Sequence, residues 1–227
     1  MHIPDGFLSP AVAVVGFIIS AIFLAVAVRK VGKRLDERMV PLMALLTALF
    51  FAAQMMNYPV VGGTTAHLLG GAVLGIVLGP WAGCISMTVI LVLQCFLFAD
   101  GGITALGANI LTMGIVGVFV PFLIYSALSK LSKGRCAVVW LAVGAFLGDV
   151  LAAIVAGILL GLSTPVFQYG LEIAVPAMAL HHSVIGAAEA VITVAVVLTL
   201  VRVRPEIMSL SPSMRSLVRV SGAPSKE

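Results

Sequence analysis

The chain has 227 residues, of which 61% are hydrophobic and only 10% charged, a composition that belongs to integral membrane proteins and excludes a soluble domain. The net charge of +4 does not mark a nucleic-acid partner, because all 13 Lys and Arg fall in three clusters, at 29–38, 130–135 and 202–226. Basic clusters flanking apolar stretches are the positive-inside signature of cytoplasmic loops.

A helix needs about 20 apolar residues to cross a hydrocarbon layer of about 30 Å, so the length allows six or seven spans with short connections. Span one is expected over about residues 7–28; it ends at the first basic cluster, which places the N-terminus outside. No basic segment precedes it, and the run from Phe7 to Val28 is too long for the apolar region of a signal peptide, so it reads as a retained span. Span two is expected over about 40–57, closing at Asn57-Tyr58-Pro59, and a Gly- and Thr-rich outer loop follows from Val60 to Ala66.

The stretch from His67 to Ala99 has no Lys, Arg, Asp or Glu and is too long for one span. Gly79-Pro80 is a turn signal that divides it into span three, about 67–80, and span four, about 83–98. Parity supports the division, because the first two basic clusters share a side only if an even number of spans separates them. Asp100-Gly101-Gly102 then forms an outer turn. Spans five (about 104–128), six (about 137–162) and seven (about 176–201) complete the chain. The expected fold is an all-α integral membrane protein with seven transmembrane helices, N-terminus out and C-terminus in. It forms one membrane domain over 1–204, followed by a polar cytoplasmic tail over 205–227. Cys84, Cys95 and Cys136 are odd in number and form no CxxC pair, so they read as packing residues.

On this topology all four histidines, His2, His67, His181 and His182, lie at or near the outer face. Met1-His2 offers a free amine, a backbone amide nitrogen and an imidazole in chelating order. The first bite closes a five-membered ring and the second a six-membered one. Three nitrogens then fill three corners of a square, an arrangement that suits Ni(II) or Cu(II). His67, behind the flexible loop Gly62-Gly63-Thr64-Thr65-Ala66, is the natural fourth corner. His181 and His182 point about 100° apart on a helix, so both do not reach one ion. Asp149 and Glu189 are carboxylates inside spans, where they mark either an ion path or interhelical contacts. No P-loop, HExxH or GxSxG motif occurs. Ala44, Ala48 and Ala52 form a small-residue face on span two, and Gly71, Gly75 and Gly79 form one on span three.

MHIPDGFLSP (1–10), GGTTAHLLGG (62–71), LQCFLFADGGITALGANILTMG (93–114) and HHSVIGAAEAVIT (181–193) resemble the CbiM/NikM family. These are substrate-binding S components of energy-coupling factor (ECF) transporters for nickel and cobalt. The resemblance covers nearly the whole chain. It implies a six-helix S-component core with an extra N-terminal span, in a prokaryotic cell membrane. It also implies a metal bound by the Met1 amine, the His2 amide and side chain, and His67. The implied partners are a transmembrane coupling (T) subunit and cytoplasmic ABC-type ATPases, with Ala44, Ala48 and Ala52 as the coupling face. Any accessory two-span domain would be a separate small subunit. Asp5, Thr64 and Thr65 would orient the ligands. Nickel is the expected cargo, since four nitrogens with a deprotonated amide favour Ni(II), with Co(II) as the alternative. Two other readings compete: a stand-alone ion-driven carrier using Asp149 and Glu189, and an intramembrane metalloenzyme, which a planar four-nitrogen centre leaves without a catalytic corner.

Overall fold

The structure, a computed structural model, describes residues 1–32, 39–203 and 205. Lys33, Arg34, Arg38, Arg204 and the tail beyond Pro205 lie outside the described residues. Among the described residues there are seven helices: α1 (Pro10–Gly32), α2 (Met39–Gln54), α3 (Gly71–Leu78), α4 (Pro80–Phe98), α5 (Leu106–Leu131), α6 (Ala137–Gly161) and α7 (Leu171–Val203). Five of them, α1, α4, α5, α6 and α7, are long and apolar enough to cross a membrane, and α2 is a shorter apolar helix of 16 residues. Their ends follow local chemistry. Pro80 stands at the first position of α4, where its missing N–H costs nothing, and Gly79 supplies φ 83 as its cap. That is why α4 begins at 80, three residues before the expected start.

Span three differs most from expectation. The helix occupies only 71–78, not about 67–80, and every residue of it is buried. At a rise of about 1.5 Å per residue it is about 12 Å long, too short to cross. Upstream of it the chain is not helical. Asn57–Pro59 (β1) pairs antiparallel with Thr65–His67 (β2), in the register Asn57 to His67, Tyr58 to Ala66 and Pro59 to Thr65. His67 thus ends a strand instead of opening a helix.

Leu68, Leu69 and Gly70 then descend into the bundle as irregular backbone. Away from water such backbone is tolerated only where protein satisfies its polar groups. Glu189 of α7 accepts the Leu69 amide at 3.0 Å and the Gly70 amide at 2.8 Å, and Gln54 Nε2 donates to the Leu69 carbonyl at 2.7 Å. Glu189 therefore makes a structural hydrogen-bonded contact that ties α7 to the turn before α3.

Gly70 makes the turn possible. Its φ is 75°, and a Cβ there would lie 2.0 Å from the Phe50 ring. Left-handed strain of about 1–2 kcal/mol and overpacking of about 1–3 kcal/mol both act on Gly70→Ala. A loss of about 2–5 kcal/mol is expected in reversible denaturation in detergent; a loss below about 1 kcal/mol would show that the ring and turn relax freely.

Helices α6 and α7 pack with small residues between them and their neighbours. Gly144, Gly148, Ala152 and Ala156 of α6 are all buried, the small-residue packing by which helices approach closely in lipid. Within α5, a π-helical segment from Ile110 to Val116 follows directly on Asn109. Such segments often lie beside functional sites.

Candidate metal centre

The N-terminal segment does not trail into solvent. Met1 and Ile3 have no exposed surface, and His2 has 1%. Three anchors seat it. Asn109 grips Ile3 reciprocally: its Oδ1 accepts the Ile3 amide at 2.9 Å, and its Nδ2 donates to the Ile3 carbonyl at 3.1 Å. Gly102 donates its amide to the same carbonyl at 2.9 Å. It must be glycine, because a Cβ would lie 2.2 Å from the Asp5 nitrogen. Strand β2 and the loop before it supply the third anchor. The Met1 amine donates to the Thr65 carbonyl and, at 2.9 Å, to Thr65 Oγ1; the His2 amide donates to Thr65 Oγ1 at 3.1 Å; and the Thr64 hydroxyl donates to the His2 carbonyl.

The two imidazoles meet above this seat. His2 and His67 stack with centroids 4.6 Å apart and planes at 27°. His2 Nε2–H donates to Gln94 Oε1 at 2.9 Å, and His67 Nδ1–H donates to the Leu68 carbonyl at 3.0 Å. The Leu68 carbonyl can only accept and so fixes the His67 tautomer, and with Gln94 Oε1 facing it His2 carries its proton on Nε2, which leaves lone pairs on His2 Nδ1 and His67 Nε2. Both nitrogens are buried, and among the described residues neither has a hydrogen-bond partner. Buried polar atoms are normally satisfied, so two orphans side by side, next to a chain terminus, describe a site for something else. Stacked rings keep their lone pairs in separate, nearly parallel planes, and convergence on one ion requires one ring to turn.

Electrostatics set the protonation state. Burial is the main cause that pushes the Met1 amine down to about 4 and the His2 imidazole down to about 3, and it also holds His67 well below its ordinary range. All three nitrogens are thus neutral near pH 7, the form that can donate an electron pair. Among the described residues no three His, Cys, Asp or Glu side chains converge as a metal-holding group.

Of the other residues singled out from sequence, Asp5 does not join this cluster. Its oxygens take the Ile103 amide at 3.1 Å, the Thr104 amide at 2.7 Å and the Thr104 hydroxyl. His181 bonds back to the Ala177 carbonyl of its own helix. His182 is fully buried, with Nδ1 3.1 Å from Asp149 Oδ2 and Nε2 3.5 Å from the Thr65 carbonyl. Asp149 accordingly pairs with a histidine between α6 and α7. Gln94 and Asn109 escaped the sequence reading. The available signal was chemical, since an uncharged amide in an apolar span requires a buried partner.

Fold and site together define a multi-pass membrane protein whose first residues are buried, with the Met1 amine beside two unpartnered imidazole nitrogens. The family described as CbiM, cobalt uptake substrate-specific transmembrane region, matches residues 2–207, and the chain belongs to it. It is therefore a transport protein and not an enzyme. A putative fused nickel transport protein, NikMN, of Archaeoglobus fulgidus is 42% identical over 92% of this chain and 68% of its own length. A cobalt transport protein, CbiM, of Clostridium tetani is 36% identical over 75% of this chain and 70% of its own length. The fused relatives are longer, and the chain spans about two thirds of them. A crystal structure of a transition metal transporter superposes with a TM-score of 0.85 at 41% identity, covering 98% of both chains.

Proposed function

We propose that this chain is the substrate-binding S component of an ECF-type importer, which captures Ni(II), with Co(II) as the alternative cargo, at the outer face. The cargo's nitrogens would be the Met1 amine, the His2 amide and Nδ1, and His67 Nε2. The observation that carries this reading is the pair of partnerless lone pairs on His2 and His67 beside the buried amine. Four nitrogens in a plane suit Ni(II). Thr64 and Thr65 hold the chelating backbone in place. Gln94 and the Leu68 carbonyl keep the ring protons away from the donor atoms.

With no P-loop in the sequence, transport energy comes from ABC-type ATPase partners acting through a T subunit. Ala44, Ala48 and Ala52 are exposed on α2, and Ala44 and Ala48 line an open apolar groove with Val89 and Leu93 of α4. This face suits a close-packed helix of the T subunit. The fused NikMN relatives further support a small accessory membrane subunit. The ion-driven carrier reading is weaker, because Asp149 and Glu189 already have structural partners. The test is nickel uptake by cells expressing the chain with and without its T and ATPase partners. Accumulation only with the partners supports an S component, whereas equal uptake by the chain alone supports a carrier.

A pH dependence follows from the buried amine and imidazole. Both are neutral well below pH 7, so the proton that the ion must displace is that of the His2 amide. Binding releases one proton, and affinity rises about tenfold per pH unit from pH 6 to 8. Equilibrium titration at several pH values measures this slope; a slope of about two decades per unit would mean that the amine is still charged.

A further inference from the structure

Asp100 follows the last turn of α4, where Ala99 adopts φ 54 and the Gln94 carbonyl accepts the Asp100 amide at 3.0 Å. This reversal folds the carboxylate back over the N-terminal segment. Oδ1 stands 3.5 Å from His2 Nδ1, and Oδ2 accepts a hydrogen bond from Asn57 Nδ2 of β1 at 3.1 Å. The ring proton of His2 is on Nε2, engaged by Gln94, so the atom facing the carboxylate is a lone pair without a donor. Two electron-rich atoms oppose each other with no proton between them, and a cation resolves that opposition. The Asp100 side chain is 17% exposed and that of His2 1%, so Asp100 reaches both water and the buried centre.

We infer that Asp100 is the loading carboxylate of this site: it takes the arriving divalent cation from water and passes it to His2 Nδ1. The inference rests on the nickel-capture reading above. A planar centre completed by four nitrogens has no corner for an oxygen, so Asp100 holds the ion only in transit. Asn57 fixes the carboxylate at the mouth, between β1 and the end of α4. Charges of one sign lining a low-dielectric cleft raise association rates by roughly 10- to 1,000-fold together, and a single carboxylate at the mouth belongs at the low end of that range.

The experiment is stopped-flow mixing of Ni(II) with the purified full chain, read by the nickel absorption band, for wild type, Asp100→Asn, Asp100→Glu and Asn57→Ala. Asp100→Asn is expected to slow association at least about tenfold at low ionic strength, less so at high salt. Final band and stoichiometry should match wild type, and any loss of affinity should lie mainly in the association rate. Asp100→Glu restores most of the rate. Asn57→Ala, a change at an exposed residue, keeps the carboxylate but frees it, and slows loading by about threefold. Unchanged association in Asp100→Asn overturns the inference, as does an altered final band, which would make Asp100 a resident ligand or a ring-orienting partner. A wild-type chain that develops no band removes the capture reading itself, together with everything built on it. Where Asp100→Asn does not yield a monodisperse chain, Asn57→Ala decides, and an unchanged rate there refutes the transit role.

Discussion

Extending the chain by a Gly-Ser pair ahead of Met1 is expected to weaken nickel binding at least about 100-fold, beyond the usual cost of losing a partner of a ligand. The extension converts the terminal amine into an amide, so the first donor of the five-membered bite disappears. It also collides with the protein, because Met1 is fully buried and its nitrogen sits between the Thr65 carbonyl and hydroxyl. Isothermal titration of tagged and untagged chains measures the loss. The comparison has an informative variant, insertion of one residue between Met1 and His2. That chain keeps a free amine and gains an amide, so amine, two amides and imidazole supply four nitrogens locally. Nickel binding then persists and ceases to need His67. A tagged chain with full affinity and stoichiometry would eliminate the chelate.

His67→Ala in the native chain is expected to reduce affinity by a similar factor of at least about 100. Three nitrogens remain, and the fourth corner falls to water. The ring also stacks on His2 and donates to the Leu68 carbonyl, so its removal leaves a space of imidazole size. Free imidazole in the buffer should refill that space and bring back much of the affinity and the original band. Rescue separates a lost ligand from a collapsed loop. An unchanged affinity in His67→Ala without imidazole would place the fourth donor elsewhere.

The helices were legible in the sequence because lipid demands long apolar runs, and five of those runs are helices long enough to cross. What stayed hidden depends on long-range pairing or on a single backbone angle. Asn57–Pro59 and Thr65–His67 are three-residue strands that exist only through each other. The start of α3 lies inside the uncharged stretch from His67 to Ala99, and the break is set by Gly70 at φ 75, wedged against Phe50. For the site, the chelating order of Met1-His2 and the Gly-rich loop before His67 pointed to residues that the fold does place in contact. Asp5, equally conspicuous, serves the 103–104 turn instead. Gln94, Asn109 and the approach of Asp100 to His2 could not be read from spacing, because each joins the N-terminus to a residue more than 90 positions away.

In the proposed centre the chain's first residues take the role that other proteins assign to a cluster of side chains. The amine and amide are held by β2, the ring protons are engaged by Gln94 and Leu68, and the whole rests on a turn braced by Glu189 and Gln54. Purified native chain loaded with nickel and freed of excess metal tests the chelate most directly, by metal analysis, absorption and magnetic susceptibility on one sample. A square of four nitrogens gives one nickel per chain in a planar, diamagnetic state with a yellow band, lost in the N-terminally extended chain. A paramagnetic, six-coordinate nickel, or the same planar centre in the extended chain, would contradict it.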